Sequence, residues 1–282
     1  MKVLITGAGT ILGHAVAKYL LSKNLKVIAT YRKSYPKLKK NKNLKIMKLD
    51  LTKKIFIKTK YDVLVHCASA IPADNFSKKK MFETNFYGFK KLLTNAIQNK
   101  CKKVILISSL SVYGKINKRE IDESYRSYGL DYYGLSKLKM EEYLLNMSRK
   151  AKIKSIILRL SGLVGKNSHS FLSKVLKKIQ LNQKIIFSNP NLKFNSFIHV
   201  DNFAVIIYNL IKKQNENIIF NIGTKYPIKL KNIVLKIFKN CKKKPNYKII
   251  KTLNKGFSIK LSEKLKKKCN IYSTKKTLDL FL

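Results

Sequence analysis

Two side chains four residues apart, Tyr133 and Lys137 in the segment YGLSK, are the strongest chemical signal in this sequence. On a helix that spacing puts both on one face, about 6 Å apart along the axis. An ammonium so placed favours a phenolate and draws a tyrosine pKa down from about 10 toward neutrality. Such a tyrosine can pass a proton to or from an alcohol or sugar oxygen while a hydride moves at the same carbon. Ser108-Ser109 lies upstream, and Ser109 is expected to hold that oxygen by a hydrogen bond. YxxxK arises by chance in a lysine-rich chain, so the elements around it decide its meaning.

A second signal stands at the start of the chain. Lys2-Val3-Leu4-Ile5-Thr6 reads as a buried strand, and it runs into Gly7-Ala8-Gly9-Thr10-Ile11-Leu12-Gly13 and an amphipathic helix, Ile11 to Ser22. Glycines between a first strand and a first helix let the backbone turn tightly and approach a pyrophosphate, whose charge rests on the helix N-terminus. The next strand, Val27 to Thr30, leads into Tyr31-Arg32-Lys33. A carboxylate here suits the ribose hydroxyls of NAD, whereas a guanidinium suits a 2′-phosphate. Arg32 is one of only five arginines, so the pattern favours NADP and keeps NAD open. Asp50, after a third strand from Leu44 to Leu49, reads either as a contact for the adenine edge or as a loop or helix-capping aspartate.

These motifs fall on alternating strands and helices. A fourth strand covers Asp62 to His66, a long helix follows near residues 78–99, and a fifth strand covers Val104 to Ile107. A helix from Tyr132 to Arg149 precedes a sixth strand, Ser155 to Leu160. Strands separated by helices favour parallel pairing with both sheet faces covered. The expected fold class is α/β, a Rossmann-like doubly wound parallel sheet, with ligands bound beyond the carboxyl ends of the strands. Residues 1–160 form the dinucleotide-binding part, re-entered near 195–225, and residues 161–282 a smaller α/β substrate lobe. In that second part, strands are expected at 184–187, 218–221 and 247–250, and helices at 171–180, 201–212 and 229–239.

Composition narrows the class. Of 282 residues 45% are hydrophobic, enough for an ordinary core, while 61 Lys+Arg against 14 Asp+Glu give a net charge of +47. The lysines spread along the whole chain with no nucleic-acid module, so solvated faces are expected rather than a specific nucleic-acid partner. Loose attraction to polyanions at low salt still follows from the charge. No apolar run is long enough to span a membrane, and the N-terminal run is too short for a secretory leader, so a cytoplasmic protein is expected. Cys67, Cys101, Cys241 and Cys269 form no CxxC pair and match no zinc spacing, so no metal site is expected.

In this order the motifs resemble the extended short-chain dehydrogenase/reductase superfamily, and within it the NAD(P)-dependent epimerase/dehydratase family acting on nucleotide-sugars. The resemblance is carried by TGAGTILG, by Asp62 to Ala68, by Asn85 in ETNFYG and by Ser108 to Gly114. It continues with YGLSK and Glu141, Leu158-Arg159-Leu160, Phe197 to Asp201 and Phe220 to Gly223. It implies a catalytic tetrad of Asn85, Ser109, Tyr133 and Lys137, with Asn85 steadying the lysine through water. It implies coenzyme contacts from Gly7, Gly9, Thr10, Ile11, Leu12 and Gly13, from Arg32, Asp50 and Leu51, and from Cys67, Ala68 and Lys137. A nucleotide-sugar substrate and a homodimer built on the helices bearing Asn85 and Tyr133 are further implications.

Some positions depart from the family pattern. Thr10 stands where the family has its middle glycine, and Leu160 replaces a proline. Leu110-Ser111 replaces the Asp-Glu pair of the family's dehydratases, so dehydration is disfavoured and epimerase or ketoreductase chemistry is expected. His169 reads as a surface histidine or a second acid, while His199 and Asp201 read as a brace between the two parts. The competing reading is a non-catalytic dinucleotide-binding or polyanion-binding protein on the same fold.

Overall fold

The protein is described by a computed structural model covering residues 1–72, 76–213, 217–253 and 256–282. Its centre is a seven-stranded sheet, all of it parallel. We number its strands β1 (Lys2–Thr6), β2 (Lys26–Tyr31), β3 (Leu44–Lys48), β4 (Val63–His66), β5 (Lys103–Ser109), β6 (Lys154–Leu160) and β7 (Ile218–Ile222). Their spatial order is β7-β6-β5-β4-β1-β2-β3. Strand order therefore reverses between β1 and β4, which is where a doubly wound sheet opens a crevice.

The strands are Val/Ile/Leu-rich because helices cover both faces. Successive residues go to opposite sides: Val3, Ile5, Val27, Ala29, Ile105 and Ile107 join one core, and Leu4, Ile28, Leu64, Val104 and Leu106 join the other. The first core is closed by α1 (Ile11–Ser22) and α6 (Val200–Lys212). The second is closed by α3 (Gly88–Gln98), which continues α2 (Lys78–Phe82) after a π-turn, and by α4 (Tyr132–Lys150). Phe89, Leu92, Leu93, Met140 and Leu144 are fully buried there, each contributing about 1.5–3 kcal/mol.

The long helix expected near 78–99 is thus interrupted at Glu83–Tyr87, where the hydrogen-bond ladder widens by one residue. Hydrophobic spacing does not register such a bulge. The segment 218–222, within the stretch 195–225, is the edge strand β7, paired with β6 from Ile218↔Ile156 to Ile222↔Leu160. Within the stretch 195–225, residues 214–216 lie outside the described residues.

The remaining helices, α5 (Phe171–Gln180), α7 (Leu230–Asn240), α8 (Glu263–Lys268) and α9 (Thr274–Phe281), belong to the second half of the chain. Helices α5, α7 and α9 enclose a third core with Phe187 and Phe197, while Leu265 of α8 joins the first. Short two-stranded pairs lie outside the large sheet, among them Gly162–Val164 with Phe197–His199. Serines at 170, 262 and 273 cap α5, α8 and α9 by accepting from the backbone three residues on.

Candidate active site

The turn after β1 is built around close backbone contacts. A side chain at Gly13 would overlap the Gly7 carbonyl oxygen, so α1 can rest on the turn only if residue 13 has none. Thr10 caps α1: its hydroxyl accepts from Gly13 N (3.2 Å) and donates to the Gly7 carbonyl (2.8 Å). The residue that departs from the glycine pattern thereby stiffens the turn. Beneath it, Thr6 Oγ1 accepts from Ala68 N (3.2 Å) and shares a hydrogen bond with His66 Nδ1 (2.8 Å), tying β1 to β4 across the crevice. His66 is fully buried, and burial, reinforced by the nearby Lys137 charge, pushes its pKa down to about 3.

A cleft of about 410 Å³ opens at this crevice. Its walls include Gly7, Gly9 and Thr10 from the first turn, Tyr31 to Ser34 beyond β2, Leu49 and Leu51 beyond β3, and Ala68 to Ala70 beyond β4. Six of the expected coenzyme residues line it: Gly7, Gly9, Thr10, Arg32, Leu51 and Ala68. Arg32 lies over the Phe76 ring, 5.3 Å from its centroid, which holds the guanidinium at the wall. Ile11, Leu12 and Gly13 form the first turn of α1 and are not among the lining residues. The Asp50 carboxylate accepts from Thr52 N (2.9 Å) and Thr52 Oγ1 (2.7 Å), closing the turn that follows β3. Partial burial opposes its charge, but those bonds, with Arg32 and Lys53, hold its pKa below the usual range. Cys67 packs into the first core, where burial pushes the thiol up to about 12. Ser69, Phe76 and Thr84 line the cleft without any prior sequence signal, because Ser69 and Phe76 come from loops and Thr84 from the π-turn, whose courses periodicity does not reveal.

The tyrosine and lysine lie on α4, whose N-terminus is capped by Asp131 accepting from Gly134 N (2.6 Å). A side chain at Gly134 would overlap the Ser111 carbonyl oxygen, so α4 starts directly against the turn that follows β5. Ser109 is half-buried in that turn; its hydroxyl accepts from Ser111 N and donates to Ser111 Oγ, both at 3.1 Å. Lys137 is only 2% exposed, donates from Nζ to the Ile107 carbonyl (3.0 Å) and sits 5.8 Å from the centroid of the half-buried Tyr133 ring. Burial pushes the Lys137 pKa down to about 8 against the opposing pull of Cys67 and Glu141.

Asn85 sits in the π-turn, 1% exposed. Its carboxamide oxygen accepts from Ala70 N (2.8 Å) and Ser69 Oγ (3.2 Å), and its nitrogen donates to the Ala70 carbonyl (3.0 Å) and Ser136 Oγ (3.1 Å). The side chain thus clamps the cleft wall to α4 one residue before Lys137, with its amide engaged in these bonds.

One turn beyond Lys137, Glu141 anchors a buried polar network that the sequence placed among matching segments without a role. Glu141 accepts from Ser108 Oγ and from Arg159, whose Nη2 lies 2.9 Å from Oε2. Arg159 Nη1 donates to Tyr113 (2.9 Å), which donates to Asn221 Oδ1 (2.7 Å). The network joins α4, β5, β6 and β7 behind the site. His199 caps α6, accepting from Asp201 N (3.3 Å), with the Asp201 carboxylate 3.6 Å away; His169 is exposed in the loop before α5. Among the described residues no group of three or more His, Cys, Asp or Glu could hold a metal, and no helix is long and apolar enough to cross a membrane.

A reversing parallel sheet with a glycine turn at its crevice, and a buried lysine one helical turn from a tyrosine beside it, define an enzyme of the extended short-chain dehydrogenase/reductase kind. The chain belongs to the NAD-dependent epimerase/dehydratase family, whose model matches residues 3–223. A dTDP-D-glucose 4,6-dehydratase of Dictyostelium discoideum is 25% identical over 265 residues, covering 84% of this chain. The match spans 61% of that relative's length. Among solved structures, a UDP-glucose 4-epimerase of Thermotoga maritima with UDP-glucose superposes with a TM-score of 0.81 at 21% identity, covering 100% of this chain and 97% of the other. A Thermus thermophilus UDP-glucose 4-epimerase in complex with NAD gives 0.77 at 18% identity, with 100% and 99% covered.

Proposed function

We propose that the chain is an NAD(P)-dependent nucleotide-sugar epimerase or ketoreductase in which Tyr133 is the general acid/base. The single observation that carries this reading is the Lys137 ammonium, held in the core and aimed between the Ile107 carbonyl and the Tyr133 ring. Burying an ammonium costs stability unless its charge is used, and a pure binding module has no use for it.

The cleft fits a dinucleotide: its volume is in the range of cofactor sites, it lies against the N-terminus of α1, and no acidic residue occupies that helix's first turn. Gly7, Gly9 and Thr10 would hold the pyrophosphate and Arg32 the ribose end, which favours NADP over NAD. When bound, the nicotinamide supplies a hydride acceptor or donor. Tyr133 takes the proton from a sugar hydroxyl or returns it to a ketone oxygen, Lys137 stabilises the phenolate, and Ser109 turns its hydroxyl from Ser111 to the same oxygen. Asn85 keeps the Ala70 wall and α4 in register. Neither Leu110 nor Ser111 supplies the carboxylic acid that elimination of water requires, which favours epimerisation or reduction over dehydration.

The segments outside the large sheet after residue 160 form the part that grips the nucleotide-sugar. A homodimer through the helical segment bearing Asn85 and through α4 is supported by the aromatic cluster of Phe82 at the end of α2, Phe86 and Tyr87 in the π-turn and Tyr143 on α4, where Tyr87 is 54% exposed.

The test is turnover of UDP-sugars by the purified protein, with and without added NADPH. An epimerase works on tightly bound cofactor alone, whereas a ketoreductase consumes NADPH in proportion to product. Tyr133→Phe should lower either rate by about 10²–10⁴ while dinucleotide binding persists. An unchanged rate in that variant would defeat the proposal.

A further inference from the structure

A larger concavity, about 930 Å³, lies at the opposite end of the central sheet. It is lined by Met1, Asp62 and Val63, at the amino ends of β1 and β4, whereas the coenzyme cleft lies beyond the carboxyl ends. Lys102, Lys103 and Lys154 come from the starts of β5 and β6. Lys212 and Lys213 come from the end of α6, and Lys264 and Lys268 from α8. A neighbouring hollow of about 490 Å³ shares Lys102 and Lys154 and adds Lys100 and Lys152. The basic lining therefore continues across the sheet edge from the α6 side to the ends of α3 and α4. The coenzyme cleft, in the same lysine-rich chain, carries only Arg32 and Lys33 among its described lining residues.

Two features make this edge more than a solvated lysine surface. Asp62 is the one carboxylate among the described lining residues, and it is already occupied, accepting from Lys2 N (2.8 Å) and facing Lys102 Nζ at 4.0 Å. Lys103 is 9% exposed and donates from Nζ to the Leu210 (3.0 Å), Ile211 (3.0 Å) and Lys213 (2.8 Å) carbonyls. Those carbonyls end α6, where the helix dipole would repel an anion; a buried ammonium neutralises them and leaves the field of the basin positive. A concave wall of low dielectric focuses that field.

We propose that this amino-terminal edge binds a flexible chain of phosphates, inorganic polyphosphate in its simplest form, at a site separate from the coenzyme cleft. The described lining residues include no aromatic side chain on which bases could stack and no arginine for bidentate reading, so charge is what they recognise. A duplex presents its phosphates on a convex cylinder and meets a hollow only at its rim, whereas a single flexible chain can follow the hollow from Lys212 to Lys152.

The experiment is titration of the full-length protein with fluorescently labelled long-chain polyphosphate across a range of salt concentrations. Three proteins are compared: the wild type, Lys102→Glu/Lys152→Glu/Lys154→Glu, and a control, Lys242→Glu/Lys243→Glu/Lys244→Glu, altered at exposed lysines after α7. At physiological salt the edge variant should lose about tenfold or more in affinity and flatten the salt slope by about 2, while the control stays within about twofold. Equal losses in both variants would mean diffuse attraction to the net charge and overturn the proposal. So would tighter binding of an equally charged DNA duplex, which would make the edge a nucleic-acid surface. If the edge variant does not fold, the corresponding Lys→Gln protein replaces it under the same criteria.

Discussion

Replacing Lys137 by methionine should separate stability from activity. In the folded chain the ammonium is buried and its pKa is pushed from the ordinary 10.5 to about 8. That shift corresponds to roughly 3 kcal/mol by which the folded state disfavours the charged form near neutrality. The Lys137→Met substitution removes that penalty and nearly conserves the volume, but leaves the Ile107 carbonyl without its donor, a loss of about 1–3 kcal/mol. The variant should therefore be as stable as the wild type at pH 7 or more stable by up to about 2 kcal/mol. Its turnover should fall by a factor of about 10²–10⁴. The difference must also depend on pH with a definite sign. Between pH 8 and 10.5 the folded wild type has released the Lys137 proton while the unfolded chain still holds it, so wild-type stability rises relative to the variant across that window. Below pH 8 the difference should be flat. Urea melts of both proteins at pH 7 and pH 10, paired with turnover at pH 7, make the measurement. A variant destabilised by several kcal/mol at pH 7, or a difference that does not move with pH, would refute the account of a strained, chemically used charge.

Other outcomes follow from single contacts. Gly13→Ala forces a methyl group against the Gly7 carbonyl, so it should lower the melting temperature and weaken dinucleotide binding together, checked by calorimetry and coenzyme titration. Glu141→Gln leaves the Arg159 guanidinium buried beside a neutral amide and should cost about 3–5 kcal/mol in urea unfolding. Arg32→Asp should reverse the coenzyme preference from NADP toward NAD, read as the ratio of the two kcat/KM values; an unchanged ratio would remove Arg32 from the ribose site.

Local patterning made much of the sheet legible. The spans of β1 and α1 match because an apolar run ending in glycines and a capping threonine admit few alternatives. The helix carrying Tyr133 was expected from Tyr132 to Arg149 and spans Tyr132–Lys150; its cap, Asp131, emerged only in the structure. The π-turn at Glu83–Tyr87 was not, since one extra residue per turn leaves the hydrophobic pattern nearly intact while rotating Asn85 toward Ala70 and Ser136. The edge strand Ile218–Ile222 reads as apolar, but nothing local says that it pairs with β6.

The order of residue types along the chain was sufficient to specify alternating parallel strands and helices, a phosphate-sized turn after the first strand, and a Tyr/Lys pair on one helix face. Those are properties of neighbours within a few residues, where periodicity, capping and backbone freedom act directly. Only the tertiary structure decided that Lys137 would be desolvated against Ile107, that the Asn85 amide would clamp a loop to a helix, that Cys67 would face the core, and that lysines from β5, β6, α6 and α8 would meet at one edge. Desolvation and charge crowding depend on segments distant in sequence arriving at the same place, and no local pattern encodes that encounter.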